Sequence, residues 1–387
     1  MTATLPSREL PDAAADGRVD KHTTPVLGSE NRLKLAVFSA NMAGGANLTT
    51  APEAPRVTWP ESVALARAAD RAGLDAMIPV ARWRGMGSPS RSAAHRSFET
   101  FTWAAGVAAV TERISVFATF HVPVSHPVSA AKQIATVDHI SGGRFGLNIV
   151  AGWNEDDFRM FGIRQKEHDD RYAVASEWIT FLERIWAADG EFDFSGEHFD
   201  STHVLSEPKP LQTPGPVVMN AGFSPPGRQF AGRYADIAFA LLPDVASAAD
   251  AVARMKAEPR SEGRRPLSVF GAAHVVCADT EREARRQWDR MVHEVGDHEA
   301  AANALRMLVP NSQSADFDRE GMAASAIAGF FALPFVGTPE QVVEQMLALS
   351  DAGVDGLAVS WLDYAAGIAQ YDEVLKPLMV QAGLRAG

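Results

Sequence analysis

The stretch Val128-Ser129-Ala130-Ala131-Lys132-Gln133-Ile134-Ala135-Thr136-Val137-Asp138-His139-Ile140 runs through Ser141-Gly142-Gly143-Arg144 into Phe145-Gly146-Leu147-Asn148-Ile149-Val150. The first part predicts a helix. The glycine pair is its stop, because glycine takes the left-handed conformation that ends helices. The last part is largely apolar, which predicts a strand covered on both faces. The glycine-rich run Gly142 to Gly146 precedes a strand, so it reads as a stop and turn rather than as a phosphate loop.

A helix feeding a buried strand is half of a parallel crossover, and the chain repeats it. Further buried strands are predicted at Leu33–Phe38, Leu74–Val80, Ile114–Phe120, Val217–Gly222, Ile237–Leu242, Leu267–Ala278 and Gly356–Trp361. Helices are predicted at Trp59–Ala72, Phe98–Val110, Tyr172–Trp186 and Tyr371–Gln381. Eight strands alternating with helices predict an α/β fold closed as a TIM (β/α)8 barrel. Residues 280–335 are too long for one crossover helix. They read as an insertion between strands seven and eight that covers a substrate. It is predicted to hold helices over Arg282–Val295 and Ala300–Leu308 and a polar piece over Asn311–Asp318. Residues 1–30 are polar and read as a flexible arm on a barrel spanning 31–387.

Lys plus Arg is 36 and Asp plus Glu is 48, giving a net charge of −12. That balance argues against nucleic acid or an anionic membrane as partner. The single cysteine, Cys277, lies in an apolar run and reads as a buried structural thiol. With no internal disulfide and no secretory or membrane-spanning segment in view, a cytoplasmic protein is expected.

Barrel chemistry belongs at the C-terminal strand ends. The polar residues there are Asn41, Arg82, Arg84, His121, Asn148, Trp153, Asp157, Ser224, Asp244, Trp361 and Asp363. No Ser-His-Asp, Cys-His or paired-Glu set, no His-Glu-x-x-His helix and no Cys-x-x-Cys pair stands out. Neither dinucleotide nor P-loop glycine fingerprints occur. Such a mouth suggests that a cofactor does the hard chemistry. Asn220-Ala221-Gly222-Phe223-Ser224 ends a strand and precedes a helix, so its N–H groups are expected to face an anion.

From Ser141 through Trp153 the sequence resembles the luciferase-like flavin monooxygenases, and within them the pyrimidine and dimethylsulfone monooxygenases. Also matching are Ala130 to Asp138, His168-Asp169-Asp170-Arg171-Tyr172, Ser206 to Gln212, Asn220 to Ser224 and Gly337-Thr338-Pro339-Glu340-Gln341. The resemblance runs from about residue 33 to 380. It implies reduced FMN, delivered by a separate NAD(P)H-dependent flavin reductase, with O2 and a small organic molecule as substrates. It implies C–N or C–S cleavage as an outcome and a homodimer or homotetramer as the assembly. Carried over position by position, Ala81 and Arg82 lie near the flavin ring and Asn148 beneath it. Asp157 stands where relatives carry Glu. Arg171, Tyr172 and Ser224 belong to the phosphate region.

Asn148 and His121 are the candidate catalytic residues. Each has a structural alternative, a satisfied buried amide and a packed imidazole, and Arg171 alone would read as a surface partner of Asp169 or Asp170. The chain departs from the luciferases proper, which carry a His pair after strand two; here Ala81-Arg82-Trp83-Arg84 stands there. That removes the expectation of light emission. Two further readings stay open: a deazaflavin-dependent hydride-transferring oxidoreductase, and a non-catalytic flavin-binding barrel.

Overall fold

The computed structural model describes residues 17–87, 92–240, 242, 244–308 and 319–387. Eight barrel strands, numbered one to eight, span Lys34–Phe38, Ala76–Ile78, Ser115–His121, Phe145–Val150, Val217–Asn220, Ile237–Phe239, Ser268–Cys277 and Gly356–Ser360. Each pairs in parallel with the next, and strand eight pairs with strand one, closing the ring. Strand two is shorter than expected because Pro79 follows Ile78 and offers no N–H to the ladder.

Helix boundaries follow their caps. Thr58 caps Trp59–Ala72, Glu99 caps Thr100–Val110, and Gly142 at φ 66° ends Pro127–Ser141. The helix expected from Tyr172 begins earlier, at His168, and runs to Ala187. A hairpin that the sequence reading lacked, Phe192–Ser195 with Asp200–Val204, follows it. Its Phe194 stacks on Phe181 of that helix at 4.0 Å between ring centroids.

Inside the ring, Ala36, Phe117, Met219, Phe270 and Ala358 form one apolar cluster. Val26 plugs the cluster from below, which differs from the expectation of a flexible arm over 1–30. Residues 17–30 pack beneath the barrel: Val19 and Asp20 pair with Gln212 and Thr213, and buried Lys21 meets buried Asp236 at 2.8 Å. A buried ion pair that loses one partner is strongly destabilised, so this contact pins the segment.

Between strands seven and eight the chain forms helix Glu281–Asp289, a π-helical turn Arg290–Glu294, and helices His298–Leu308 and Arg319–Ile327. Strand Leu333–Gly337 then pairs in parallel with Ala273–Cys277, outside the closed ring. The polar piece Asn311–Asp318 lies outside the described residues. Among the described residues no helix is long and apolar enough to cross a membrane.

Candidate active site at the barrel mouth

Side chains alternate along a strand, so Phe117 in the barrel core puts Thr119 and His121 on the same inward face, higher up. The same alternation on strand four turns Asn148 inward. These three, with Arg82 from the loop after strand two, line a cavity of about 160 Å³ at the C-terminal mouth. Ala46, Ala81 and Ala221 line it too and leave room for a flat group. Trp153 and Phe330 also line it, with ring centroids 6.3 Å apart.

Thr119 was not singled out from the sequence, yet it orders the site. Its hydroxyl bonds Pro79 O, and Asn148 Nδ2 donates to Thr119 Oγ1 at 3.1 Å. A carbonyl can only accept, so the one hydroxyl proton is used toward Pro79, and Asn148 must present its amide N–H to Thr119. Asn148 Oδ1 is thereby left buried with no partner among the described residues. A buried acceptor without a partner costs free energy that a donor from a ligand would recover.

His121 is 3% exposed, and its Nδ1 also lacks a partner among the described residues. Burial, then the nearby Arg82 charge, push its imidazole down to about 4, so it is neutral near pH 7. Arg82 is 9% exposed and lies 5.1 Å over the Phe330 ring. Burial lowers its guanidinium to about 10, partly offset by the Asp157 charge, and it stays cationic.

Asp157 is buried, but it does not line the mouth cavity. It accepts from Arg84 N at 2.8 Å and bonds the Trp83 backbone, so it holds the loop that carries Arg82. Burial raises its carboxyl above the usual range against those hydrogen bonds. Asn41 is likewise structural: it donates to Val80 O and Phe98 O and accepts from Val80 N. Asp363 caps helix Tyr364–Gln370, and Asp244 accepts from Ser247 N.

Arg171, Tyr172 and Ser224 form a second group. Tyr172 hydrogen-bonds Ser224, and burial raises its phenol above the usual range. Arg171 Nη1 donates to Gly152 O, while its buried Nε has no partner among the described residues. Of the N–H groups expected from Asn220 to Ser224, that of Gly222 is taken up within the loop, and the helix that follows adds no free donor at its start. Pro225 and Pro226 lack N–H groups, Gly222 N donates to Asn220 Oδ1, and Gly227 N donates to Ser224 Oγ.

A cavity of about 590 Å³ lies beside Val122–His126 and takes only Arg171 from the candidate residues. The smaller mouth gathers Ala81, Arg82, His121 and Asn148, which makes it the candidate reaction site. A neighbouring cavity of about 460 Å³ shares the wall formed by Ala81, Arg82, Thr119 and His121.

The structure is a closed parallel α/β barrel with an amide, an imidazole and a guanidinium converging on its mouth. Among the described residues no group of His, Cys, Asp and Glu could hold a metal. The chain belongs to the luciferase-like monooxygenase family, whose pattern matches residues 33–356. It is 30% identical over 90% of its length to the FMNH2-dependent dimethylsulfone monooxygenase of Pseudomonas putida, covering 95% of that protein. It is 31% identical to the pyrimidine monooxygenase of Variovorax paradoxus, over 80% of this chain and 85% of that one. A riboflavin lyase crystallised with modified FMN and riboflavin shares the fold, with a TM-score of 0.81 at 21% identity over 92% of each chain.

Proposed function

We propose that the chain is the oxygenase of a two-component system. It takes reduced FMN from a separate NAD(P)H-dependent reductase and uses O2 to oxygenate a small organic substrate at the barrel mouth. The observation that carries this reading is the buried, unpaired Asn148 Oδ1 in the mouth of a luciferase-like barrel. A reduced isoalloxazine has ring N–H donors, and that oxygen is an acceptor in need of one. The small lining residues Ala46, Ala81 and Ala221 suit a planar ring.

Bound reduced flavin supplies the two electrons that let one oxygen atom enter the substrate while the other leaves as water. The remaining work falls to the chain. Asn148 would accept from the ring through Oδ1, and its second Nδ2 proton would be available to stabilise negative charge developing on dioxygen. Neutral His121 adds a hydrogen-bonding face without adding positive charge. Ala81 and Arg82 border the ring. Arg171, Tyr172 and Ser224 hold the phosphate, and Asp157 acts indirectly, through the 83–84 backbone. Trp153 and Phe330 exclude water.

Anaerobic titrations with reduced FMN, oxidised FMN and a reduced deazaflavin test the cofactor. Reduced FMN is expected to bind at least about tenfold more tightly than either of the others, a difference of about 1.4 kcal/mol. A preference for the deazaflavin would instead support the hydride-transfer reading.

A further inference from the structure

The cavity beside the mouth is walled by Phe98, Phe101 and Phe120 and bordered by Ser129. Trp83 and Phe161 stand at its rim, edge to face with centroids 4.9 Å apart, and are 40% and 43% exposed. Exposed aromatic surface at a cavity rim is unusual unless something covers it. Against this apolar lining stand Arg82 and His121, both more than nine-tenths buried.

Arg82 has no ion pair or side-chain hydrogen bond among the described residues beyond its contact with the Phe330 ring and the field of Asp157. A buried guanidinium without a bonded anion is costly. The carboxylate in the cavity wall, Glu99, is committed to Phe101 N and Thr102 N at its own helix start. The wall therefore offers a cation in need of an anion, a neutral imidazole with a free nitrogen, and aromatic surface for an apolar body.

We propose that this cavity binds the substrate as an organic oxyanion, a carboxylate or sulfonate on an aromatic or branched apolar body. Its acidic group lies on Arg82 and His121 and its body against Phe98, Phe101 and Phe120. The proposal rests on the reading of the mouth as the reaction site. The shared wall of Ala81, Arg82, Thr119 and His121 then places the acidic end of the substrate next to the flavin ring.

Calorimetric titration of the FMN-free protein with benzoate and benzenesulfonate, beside neutral benzamide and benzyl alcohol, tests it. The two anions are expected to bind at least about tenfold more tightly than the neutral pair, because charge-assisted hydrogen bonds are the stronger ones. Arg82→Met should abolish that preference. Ser129→Phe, at an exposed position of helix Pro127–Ser141, should fill the cavity and weaken all four compounds while FMN affinity stays unchanged. If Arg82→Met does not fold, Ser129→Phe decides, and undiminished benzoate binding overturns the proposal. Equal binding of anions and neutral compounds overturns it as well, as does displacement of benzoate by saturating FMN. Retained benzoate binding with no FMN binding would instead refute the flavin reading and leave this site standing.

Discussion

Thr119 fixes the direction of the Asn148 amide: its hydroxyl bonds Pro79 O and receives Asn148 Nδ2 at 3.1 Å, which leaves Asn148 Oδ1 facing the mouth unpaired. Three backbone segments thus cooperate to aim one acceptor, since Pro79 follows strand two, Thr119 lies on strand three and Asn148 on strand four.

Asn148→Leu keeps the approximate shape and removes both hydrogen-bonding functions. It is expected to fold and bind FMN, to lose about 10²–10³ in product formation, and to release more hydrogen peroxide per NADH used by the reductase. Thr119→Val frees the amide to turn and should cost roughly two- to tenfold, the worth of one ordinary hydrogen bond. Product and peroxide are measured together with the melting temperature. If activity and melting temperature fall in step while the product-to-peroxide ratio stays at the parental value, Asn148 is a structural amide.

Much of this was legible in the sequence. Seven of the strands besides Phe145–Val150 announce themselves as short apolar runs, because a barrel strand is covered inside by the core and outside by helices. Thr119 was legible too, two residues before His121 on an alternating strand, but a threonine in a β-branched run reads as a strand former first. Pro225-Pro226 stood in plain view and shows that the helix start adds no N–H donors to those of the Asn220–Ser224 loop. Phe330 was not legible. It reaches the mouth through a turn in which Gly329, Phe330 and Phe331 all have positive φ, at 83°, 53° and 69°. Only tertiary packing holds non-glycine residues there.

On the proposed reading the phosphate grip turns on Arg171, since the helix start at Pro225 adds no free N–H donor. Arg171→Ala is expected to weaken FMN binding by roughly tenfold to a hundredfold, the value of one charge-assisted hydrogen bond. Riboflavin, which lacks the phosphate, should bind mutant and parent alike. Equal loss for both ligands would make Arg171 a folding residue through its bond to Gly152 O.

Stability should decline in acid through two buried histidines. His274 donates to or accepts from Ser360 Oγ at 2.9 Å, and burial holds it down at about 3, with His121 at about 4, against 6.5 for a free imidazole. The unfolded chain takes up protons on both below about pH 6.5 while the native state refuses them. The stability they contribute is therefore fully present above pH 6.5 and lost as pH falls toward 4 and then 3. Melting temperature against pH should drop less steeply for His274→Asn than for the parent. Parallel curves would show that His274 titrates normally.

Oxygen transfer from O2, dependent on flavin reduced elsewhere, is the centre of the account. The direct measurement is mass spectrometry of products formed from a panel of small organic acids, with the protein, a separate flavin reductase, FMN, NADH and ¹⁸O2. One ¹⁸O atom per product molecule is expected, with no turnover and no NADH oxidation when the reductase is omitted. Product labelled only from H2¹⁸O, or flavin reduction by NADH with this protein alone, would contradict it.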